Sequence, residues 1–343
     1  MLKRYFILIS VVSGLFFSSM GNPALAEGEG LLPCEGTGWV EFGASPLDLG
    51  DLEYITPMGR VAYSHVSPTD HQYYQPLGLQ HGADVANSVV RFNVHSPADG
   101  NLIFVEQFRQ DDYRLIFEYS CTFYSIFIHI NELSEKIASS IVLTGNSLGH
   151  AYGYTRIPVA EGEIIGRTDS YAFDFMVVNT DIVLPGLLVP AHYKGEPWKI
   201  YVDDPFKYFI EPLRSQLMAR TIGNGQPVGG KIDYDIDGAL VGNWFVEGTN
   251  GDQPGRPDYW ATQLSVVYDH LDPTQIRVSF GDFNGQTAQF GVNGNFPDPA
   301  SVTVGRGLVK YELVNFDYFL GDGGPFWDRI SFADNLVARN NGN

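Results

Sequence analysis

Short apolar runs dominate the chain, and their pattern is that of β-strands. The runs are rich in Val, Ile, Phe and Tyr, and Gly, Pro, Asp or Asn residues bound them, as in strands joined by turns. Helical periodicity is nearly absent. The pattern predicts strands at 38–42, 88–94, 101–108, 114–119, 123–130, 239–247, 264–268, 275–280, 288–292 and 307–313.

Two segments break this pattern and predict helices. The first is short and spans 131–140, where Glu132 and Lys136 lie four apart on one face. The second spans 203–218, because a pair of Asp residues caps its start and Pro205 fits its first turn. Its apolar stripe, which we expect to pack on the preceding domain and close it, comprises Phe206, Phe209, Ile210, Leu213 and Leu217.

The turn-rich segment 222–230 (IGNGQPVGG) predicts a linker between two domains. A lead-in segment at 27–60 precedes the first domain, which we expect at 61–221 with its closing helix. Beyond the linker, short strands and turns predict a second, small all-β sandwich or barrel at 231–343. The fold class is therefore mainly β.

The N-terminus has the three parts of a secretory signal. Lys3 and Arg4 precede an apolar run at 5–17, and a small-residue cleavage site follows at 23–26. We therefore expect residues 1–26 to be removed and no transmembrane segment to follow. The mature protein is expected to be exported, either periplasmic or extracellular, where Cys34 and Cys121 either form a disulfide or stay as two buried thiols.

The charge of the chain narrows the possible partners. It carries 21 Lys and Arg against 40 Asp and Glu, a formal net charge of −19. Such a charge repels phosphate backbones and argues against nucleic acid as a partner. It favours cationic ligands or metal ions.

Several short segments follow one another in an order that resembles the lysostaphin/LytM-type zinc metallopeptidases. Two β-segment pairs around a Gly turn, at 94–100 and 157–166, resemble the halves of a barrel-sandwich hybrid. A segment with His65, Asp70 and His71 precedes them, an isolated His129 lies between them, and Asp174 follows in AFDFMV at 172–177. The resemblance covers about residues 56–180 and implies a barrel-sandwich-hybrid-like metallopeptidase-type domain.

The resemblance implies a site and an activity. In that family the first motif supplies a His and an Asp to zinc, and a later H-x-H motif supplies a catalytic His and a third His ligand. Carried over residue by residue, it gives His65 or His71, Asp70 and Asp174 as ligands of zinc or another divalent metal, and His129 as a catalytic residue. The substrate would be a cell-wall peptide.

The chain departs from the family pattern in two ways. It has no H-x-H, because Ala172 replaces the catalytic His and Asp174 the ligand His. His65 and Asp70 are five residues apart, where the family has four. His81 and Asp84 offer an alternative first motif. An oxygen-rich ligand set would weaken zinc binding and favour harder ions.

These departures leave three functions open. The first is an exported cell-envelope metallopeptidase relative with a remodelled site. The second is a non-catalytic module that binds wall peptides, glycans or another exported protein in the same groove. The third is an unrelated β-sandwich binding or structural module, in which His65, Asp70, His129 and Asp174 would lie far apart. The acidic turn at 233–238 resembles half of an EF-hand loop, but Trp244 stands where the bidentate Glu belongs.

Overall fold

The chain is described from a computed structural model that covers residues 33–77, 91–145, 149–169, 171–249, 251, 259–319 and 337–341. The predicted signal segment 1–26 and the alternative motif of His81 and Asp84 lie outside these residues. The described residues are mainly β, which confirms the predicted fold class. No helix among them is long and apolar enough to cross a membrane.

The described residues form eighteen strands and two α-helices. The strands are β1 Leu52–Thr56, β2 Gln72–Pro76, β3 Phe92–His95, β4 Gly100–Arg109, β5 Asp112–Ser120, β6 Phe123–Ile130, β7 Glu132–Leu133, β8 Thr144–Gly145, β9 Ala151–Val159, β10 Ile164–Thr168, β11 Phe173–Asn179, β12 Val202–Asp203, β13 Gly242–Phe245, β14 Gln263–Tyr268, β15 Ile276–Phe283, β16 Gln286–Val292, β17 Leu313–Phe319 and β18 Val337–Asn341. The helices are α1 Glu135–Ser140 and α2 Leu213–Met218.

A nine-stranded antiparallel sheet is the frame of the molecule. Its order is β1-β2-β11-β6-β5-β4-β9-β8, and β12 pairs with β11. A smaller sheet of β3, β10 and β7 covers one face. The opposite face packs against residues of the segment 184–202, so both faces of the central strands are buried.

Strand β11 shows how the sheet separates its two faces. Phe173, Phe175 and Val177 pack in the core under the smaller sheet. Met176 and Val178 pack on the opposite face. Because successive side chains of a strand point to opposite faces, Asp174 shares the face of Met176 and Val178.

The predicted helix over 203–218 is wrong as a single element. The structure has a 3₁₀ turn at Pro205–Lys207 and then the short helix α2. Pro212 lies between them; it has no N–H to donate and its ring clashes with the preceding turn, so a helix cannot pass through it. The expected packing nevertheless holds, since Phe206, Phe209 and Leu217 lie in the core.

The C-terminal sheet, β13 to β18, is an open antiparallel meander with its strands in sequence order. The predicted strand at 307–313 is wrong, because β17 begins only at Leu313. Gly307 has φ 79°, which interrupts an extended chain, and Leu308 is fully exposed. The strand pattern of β17 itself was missed.

The segment 222–230 lies against the nine-stranded sheet. The amide of Ile222 donates to the carbonyl of Ile55 at 2.9 Å, and the amide of Met58 donates to the carbonyl of Gly229 at 3.0 Å. The division of the chain into domains at this segment stays a prediction.

The acidic turn after this segment binds backbone amides. Asp233 Oδ2 accepts from the amide of Gly186 at 3.2 Å. The two oxygens of Asp235 accept from the amides of Leu188 and Asn243, at 3.1 and 2.8 Å. These carboxylates thus tie the start of the C-terminal region to the segment that covers the nine-stranded sheet.

Asp269 organises the interior of the C-terminal sheet. Its carboxylate accepts from Arg277 Nε at 2.8 Å and from the Tyr318 hydroxyl at 2.7 Å, and from two backbone amides. Burial alone would raise the pKa of Asp269, but Arg277 and these hydrogen bonds outweigh it and hold that pKa below its usual value. Arg277 is fully buried, with its guanidinium over the ring of Phe316.

Asp269→Asn is expected to destabilise the protein by about 3–5 kcal/mol at pH 7, because it leaves the Arg277 charge buried without its carboxylate. A depressed folded pKa gives stability that is present above the unfolded carboxyl pKa and lost as the pH falls through the folded value. The difference between wild type and variant should therefore shrink below about pH 4. Urea unfolding of wild type and variant at pH 7 and below about pH 4 measures this difference. Asp317→Asn, at an exposed carboxylate of β17, is the control, and an equal effect of both variants would contradict the assignment.

Cys34 and Cys121 form a disulfide, with their Cα atoms 5.2 Å apart. The bridge ties the described N-terminal segment to the turn between β5 and β6 across a sequence separation of 87 residues. Of the two alternatives expected from the sequence, a disulfide or two buried thiols, the structure contains the disulfide.

Replacing both cysteines by Ser is expected to lower the free energy of unfolding by about 2–4 kcal/mol, because the bridge restricts the unfolded chain over a long loop. Urea denaturation of the oxidised protein and the double variant measures the loss. Reductant should bring the wild type to the midpoint of the variant and leave the variant unchanged. Equal midpoints without reductant would refute the prediction.

Candidate functional site

Three adjacent strands bring the predicted site residues to one cavity. In the order β2-β11-β6, the chain just before β2, the start of β11 and the end of β6 meet on the face opposite the smaller sheet. The cavity there has a volume of about 380 Å³. All five predicted site residues line it, namely His65, Asp70, His71, His129 and Asp174.

Asp174 lies at the centre of the group. Its carboxylate is almost fully buried, and Oδ2 lies 3.3 Å from His71 Nε2 and 3.6 Å from His129 Nε2. Burial raises the pKa of Asp174 above its usual value, and the two imidazoles only partly offset this. The carboxylate is therefore flanked by two imidazoles that approach it from neighbouring strands.

His71 is held from its other side by Asp70. It donates from Nδ1 to Asp70 Oδ1 at 2.8 Å, and Trp198 Nε1 donates to Asp70 Oδ2 at 2.9 Å. Both oxygens of Asp70 are thus engaged behind the imidazole. Burial alone would raise the pKa of Asp70, but the hydrogen bond from His71 and the charge of Lys199 hold it well below its usual range.

A bulge at the end of β6 turns His129 into the cavity. Ile128 and Ile130 are two residues apart, yet they pack on opposite faces of the sheet. The alternation breaks at His129, which has φ 67°, and the pairing with β5 shifts at the same place. A bulge with one residue in the left-handed region re-aims a side chain in this way. His129 therefore faces Asp174, and about half of its side chain stays exposed.

His129 has its own carboxylate partner. It donates from Nδ1 to Asp112 Oδ1 at 2.9 Å, and Arg109 Nε lies 3.0 Å from the other oxygen of Asp112. Burial alone would lower the pKa of His129, but the hydrogen bond to Asp112 and the charge of Asp174 outweigh it and raise that pKa. The same balance holds at His71, whose pKa Asp174 and Asp70 raise against the effect of burial.

His65 completes the cavity wall as a neutral imidazole. Its ring centre lies 5.5 Å from that of His71, with the two planes nearly perpendicular. Burial, with the nearby His71 and Lys199, lowers the pKa of His65 to about 3. The ring is therefore uncharged at neutral pH, which is the form that binds metal ions.

Ala172 lies apart from this group. It lines a separate cavity of about 110 Å³, together with residues of the C-terminal sheet and of the segment that joins it. The position at which the family pattern has its second catalytic His therefore lines a different cavity from the predicted site residues. Asp174, two residues further along β11, is the part of that motif that reaches the larger cavity.

The sequence did not reveal several other residues of the cavity. Asp112 was missed because its partnership with His129 depends on the register of β5 and β6. Trp198 and Lys199 come from a segment with no motif, and Lys199 donates to Ser67 Oγ at 3.1 Å inside the cavity wall. The pairs of Lys199 with Glu196 and of Arg114 with Glu106 add charge to this wall.

The donor atoms around Asp174 are of the types that bind divalent ions, and their spacing suits such an ion only when they are taken two at a time. Among the described residues, His71 Nε2 and Asp174 Oδ1 are buried and make no hydrogen bond. The 3.3 Å separation between His71 Nε2 and Asp174 Oδ2 matches that of two ligands of one tetrahedral zinc ion, which are about 3.4 Å apart. The hydrogen bond from His71 to Asp70 is of the kind that orients a metal-bound histidine. Among the described residues, no group of three or more His, Cys, Asp or Glu side chains is arranged so that it could hold a metal ion.

Comparison with known proteins gives only distant similarities. No protein-family model matches the chain, and no curated protein matches it. Among solved structures, a zinc-containing peptidase from Vibrio cholerae is 14% identical over 41% of this chain, with a TM-score of 0.27. The match spans only 37% of that peptidase. A chain of the SpoIIQ–SpoIIIAH pore-forming complex is 11% identical over 52% of this chain and 96% of its own, with a TM-score of 0.32.

Proposed function

We propose that the chain is an exported, divalent-metal-dependent hydrolase of cell-envelope peptides, with a remodelled LytM-type site. One observation carries this proposal. His71 Nε2 and the Asp174 carboxylate face each other, buried and incompletely hydrogen-bonded, at the wall of a cavity. Burying atoms that lack a hydrogen bond, here His71 Nε2 and Asp174 Oδ1, is costly, and a fold that keeps them has a use for them.

In this proposal His65, His71 and Asp174 hold the ion, and Asp70 orients His71 through Nδ1. Asp70 thus moves from the ligand role that the resemblance implies to a supporting one, since both of its oxygens already accept hydrogen bonds. Two histidines and one carboxylate are a known ligand set of catalytic zinc. When bound, the ion polarises the scissile carbonyl and lowers the pKa of its water.

His129 handles the proton in this scheme. Asp112 fixes its ring through Nδ1, so that Nε2 faces the cavity beside Asp174. A histidine that a carboxylate orients in this way takes a proton at Nε2 and later returns it to a leaving group. Its partial exposure leaves a path for substrate to reach it.

The substrate class and the compartment rest on the sequence. The signal pattern at 1–26 supports export, and the order of the motifs supports a wall peptide as substrate. The convergence of these motifs on one cavity, from strands far apart in sequence, supports the resemblance itself.

A non-catalytic binding module is the second candidate. Two observations favour it: the family's second catalytic His is an alanine that lies outside the cavity, and the described residues hold no closed three-donor set. In that case the same cavity binds a peptide or glycan without cleaving it.

The metal content of the mature chain, purified without a His-tag, tests the proposal. We expect about one equivalent of zinc or another divalent transition metal, and at least a tenfold loss of metal affinity in Asp174→Ala and His71→Ala, because each removes a donor. His192→Ala, outside the cavity, is the matched control and should bind metal like the wild type.

Hydrolysis of cell-wall peptides by the metal-loaded protein then separates the two candidates. For a hydrolase, His129→Ala should retain the metal and lose at least a hundredfold in rate, because it removes the proton-transfer group. Metal binding without hydrolysis would support the binding module. Absence of metal after reconstitution would overturn the metal-dependent mechanism.

A further inference from the structure

Arg109 lies at the mouth of the large cavity, where β4 ends. It lines the cavity, and its side chain is 77% exposed. It pairs with Asp112 across the β4–β5 hairpin, whose turn is Gln110 and Asp111. Asp111 has φ 58°, and its carbonyl accepts from Asn131 Nδ2 at 2.9 Å. The hairpin is therefore tied to the chain just after β6, and the backbone that carries Arg109 is held in place.

One carboxylate joins Arg109 to the centre of the site. Asp112 Oδ2 lies 3.0 Å from Arg109 Nε, and Asp112 Oδ1 accepts from His129 Nδ1. The other ring nitrogen of His129 faces Asp174. The exposed fraction of the side chain rises from 4% at Asp174 to 47% at His129 and 77% at Arg109. A ligand that fills the cavity therefore has Asp174 at its inner end and Arg109 at its outer end.

Two other Lys and Arg side chains among the described residues line the cavity, and the protein itself engages both. Arg114 donates from Nη1 to Glu106 Oε2 at 2.9 Å, and its guanidinium lies over two aromatic rings. Lys199 is buried and donates to a serine hydroxyl in the cavity wall. Within the described part of the chain, the ion pair of Arg109 is made through Nε to Asp112. This leaves both of its terminal nitrogens for a ligand.

We propose that the ligand of this cavity is a peptide that carries a carboxylate, and that Arg109 binds this carboxylate at the mouth. A guanidinium presents its donors in a planar fork that matches the two oxygens of a carboxylate. The contact of Nε with Asp112 orients that fork. The cavity of about 380 Å³ then takes the adjoining part of the peptide, beside His129 and Asp174. The proposal rests on the proposed function for the peptide nature of the ligand, and it needs no metal ion.

The acidic character of the whole chain does not oppose an anionic ligand. The formal net charge of −19 repels anions at long range, but at physiological ionic strength exposed charges are screened beyond about 8 Å. A carboxylate at the mouth therefore responds mainly to the guanidinium that it contacts. The nearest acid, Asp112, already has a cationic or N–H partner at each oxygen.

Binding of three small peptides to the full mature chain, without added metal, tests this proposal. The first is acetylated trialanine with a free C-terminal carboxylate, the second is the same peptide with a C-terminal amide, and the third is that amide with glutamate at its middle position. At least one of the two carboxylate peptides should bind about tenfold or more tightly than the uncharged amide, because hydrogen bonds to charged groups are the stronger ones. The tighter of the two identifies the source of the carboxylate as a chain end or a side chain. Ligand-observed NMR titration measures the three affinities.

Three variants assign the effect to Arg109. Arg109→Gln should bind the preferred carboxylate peptide about tenfold or more weakly than the wild type and the uncharged amide equally well. Arg109→Lys keeps the charge without the fork and should fall between. Arg167→Gln, at a half-exposed arginine of the smaller sheet outside the cavity, is the matched control and should bind all three peptides like the wild type. Thermal unfolding establishes that the variants are folded.

The outcomes separate this inference from the proposed function. Equal affinity of the wild type for carboxylate and amide peptides, or binding of none of them at millimolar concentration, would overturn it. An equal loss for all peptides in Arg109→Gln would also overturn it, because a merely structural role weakens them alike. Each of these results would leave a metal-dependent mechanism standing if metal is bound. A chain that holds no metal but selects carboxylate peptides through Arg109 would overturn that mechanism and support this inference.

Discussion

A carboxylate buried in the face of a sheet must be matched by cations or hydrogen-bond donors, and Asp174 is such a group. The alternation of β11 forces it to the face that its apolar neighbours Met176 and Val178 share. Burial makes its charged form costly, which is why its pKa rises. The imidazoles of His71, just before β2, and of His129, on β6, offset this cost. The site is built around these two side chains.

Each of the two imidazoles beside Asp174 is held from its other side by a second carboxylate. His71 and His129 each face Asp174 through Nε2, and each is tied through Nδ1 to a further carboxylate, Asp70 or Asp112. Three acids and two imidazoles therefore alternate across strands β5, β6 and β11 and the segment just before β2. Burial alone would lower the pKa of each imidazole, but the two carboxylates beside it have the larger effect. The pKa of both is therefore raised. Such a network fixes ring orientation, which a site for a metal ion or a reacting peptide requires.

The sequence predicted those parts of the molecule that depend on local pattern. The strand predicted at 123–130 coincides with β6, and the order of the motifs named His71 and His129, the two imidazoles beside Asp174. The sequence did not predict features that depend on a particular backbone angle or on residues far apart in the chain. The bulge at His129 has no signature in a run of apolar residues, and the hydrogen bond between Gln289 and Tyr63 joins residues 226 positions apart. The helix over 203–218 failed for a local reason, since Pro212 outweighed the apolar stripe.

If the proposed ligand set holds, the differences between this chain and the LytM-type pattern that its sequence resembles would offset one another. The family's ligand set contains two histidines and one aspartate, with the aspartate in the first motif and a histidine on the later strand. In the proposed set, the first segment supplies His65 and His71, and the later strand supplies Asp174. In that set the carboxylate and one imidazole would exchange places relative to the family, so that the number of nitrogen and oxygen donors and the net charge around an ion would be unchanged. This set is less oxygen-rich than one containing Asp70, so the preference for harder ions expected from the sequence no longer follows. In the proposed set, the donor types would therefore be those of the family that the sequence resembles, and the difference that remains would be Ala172.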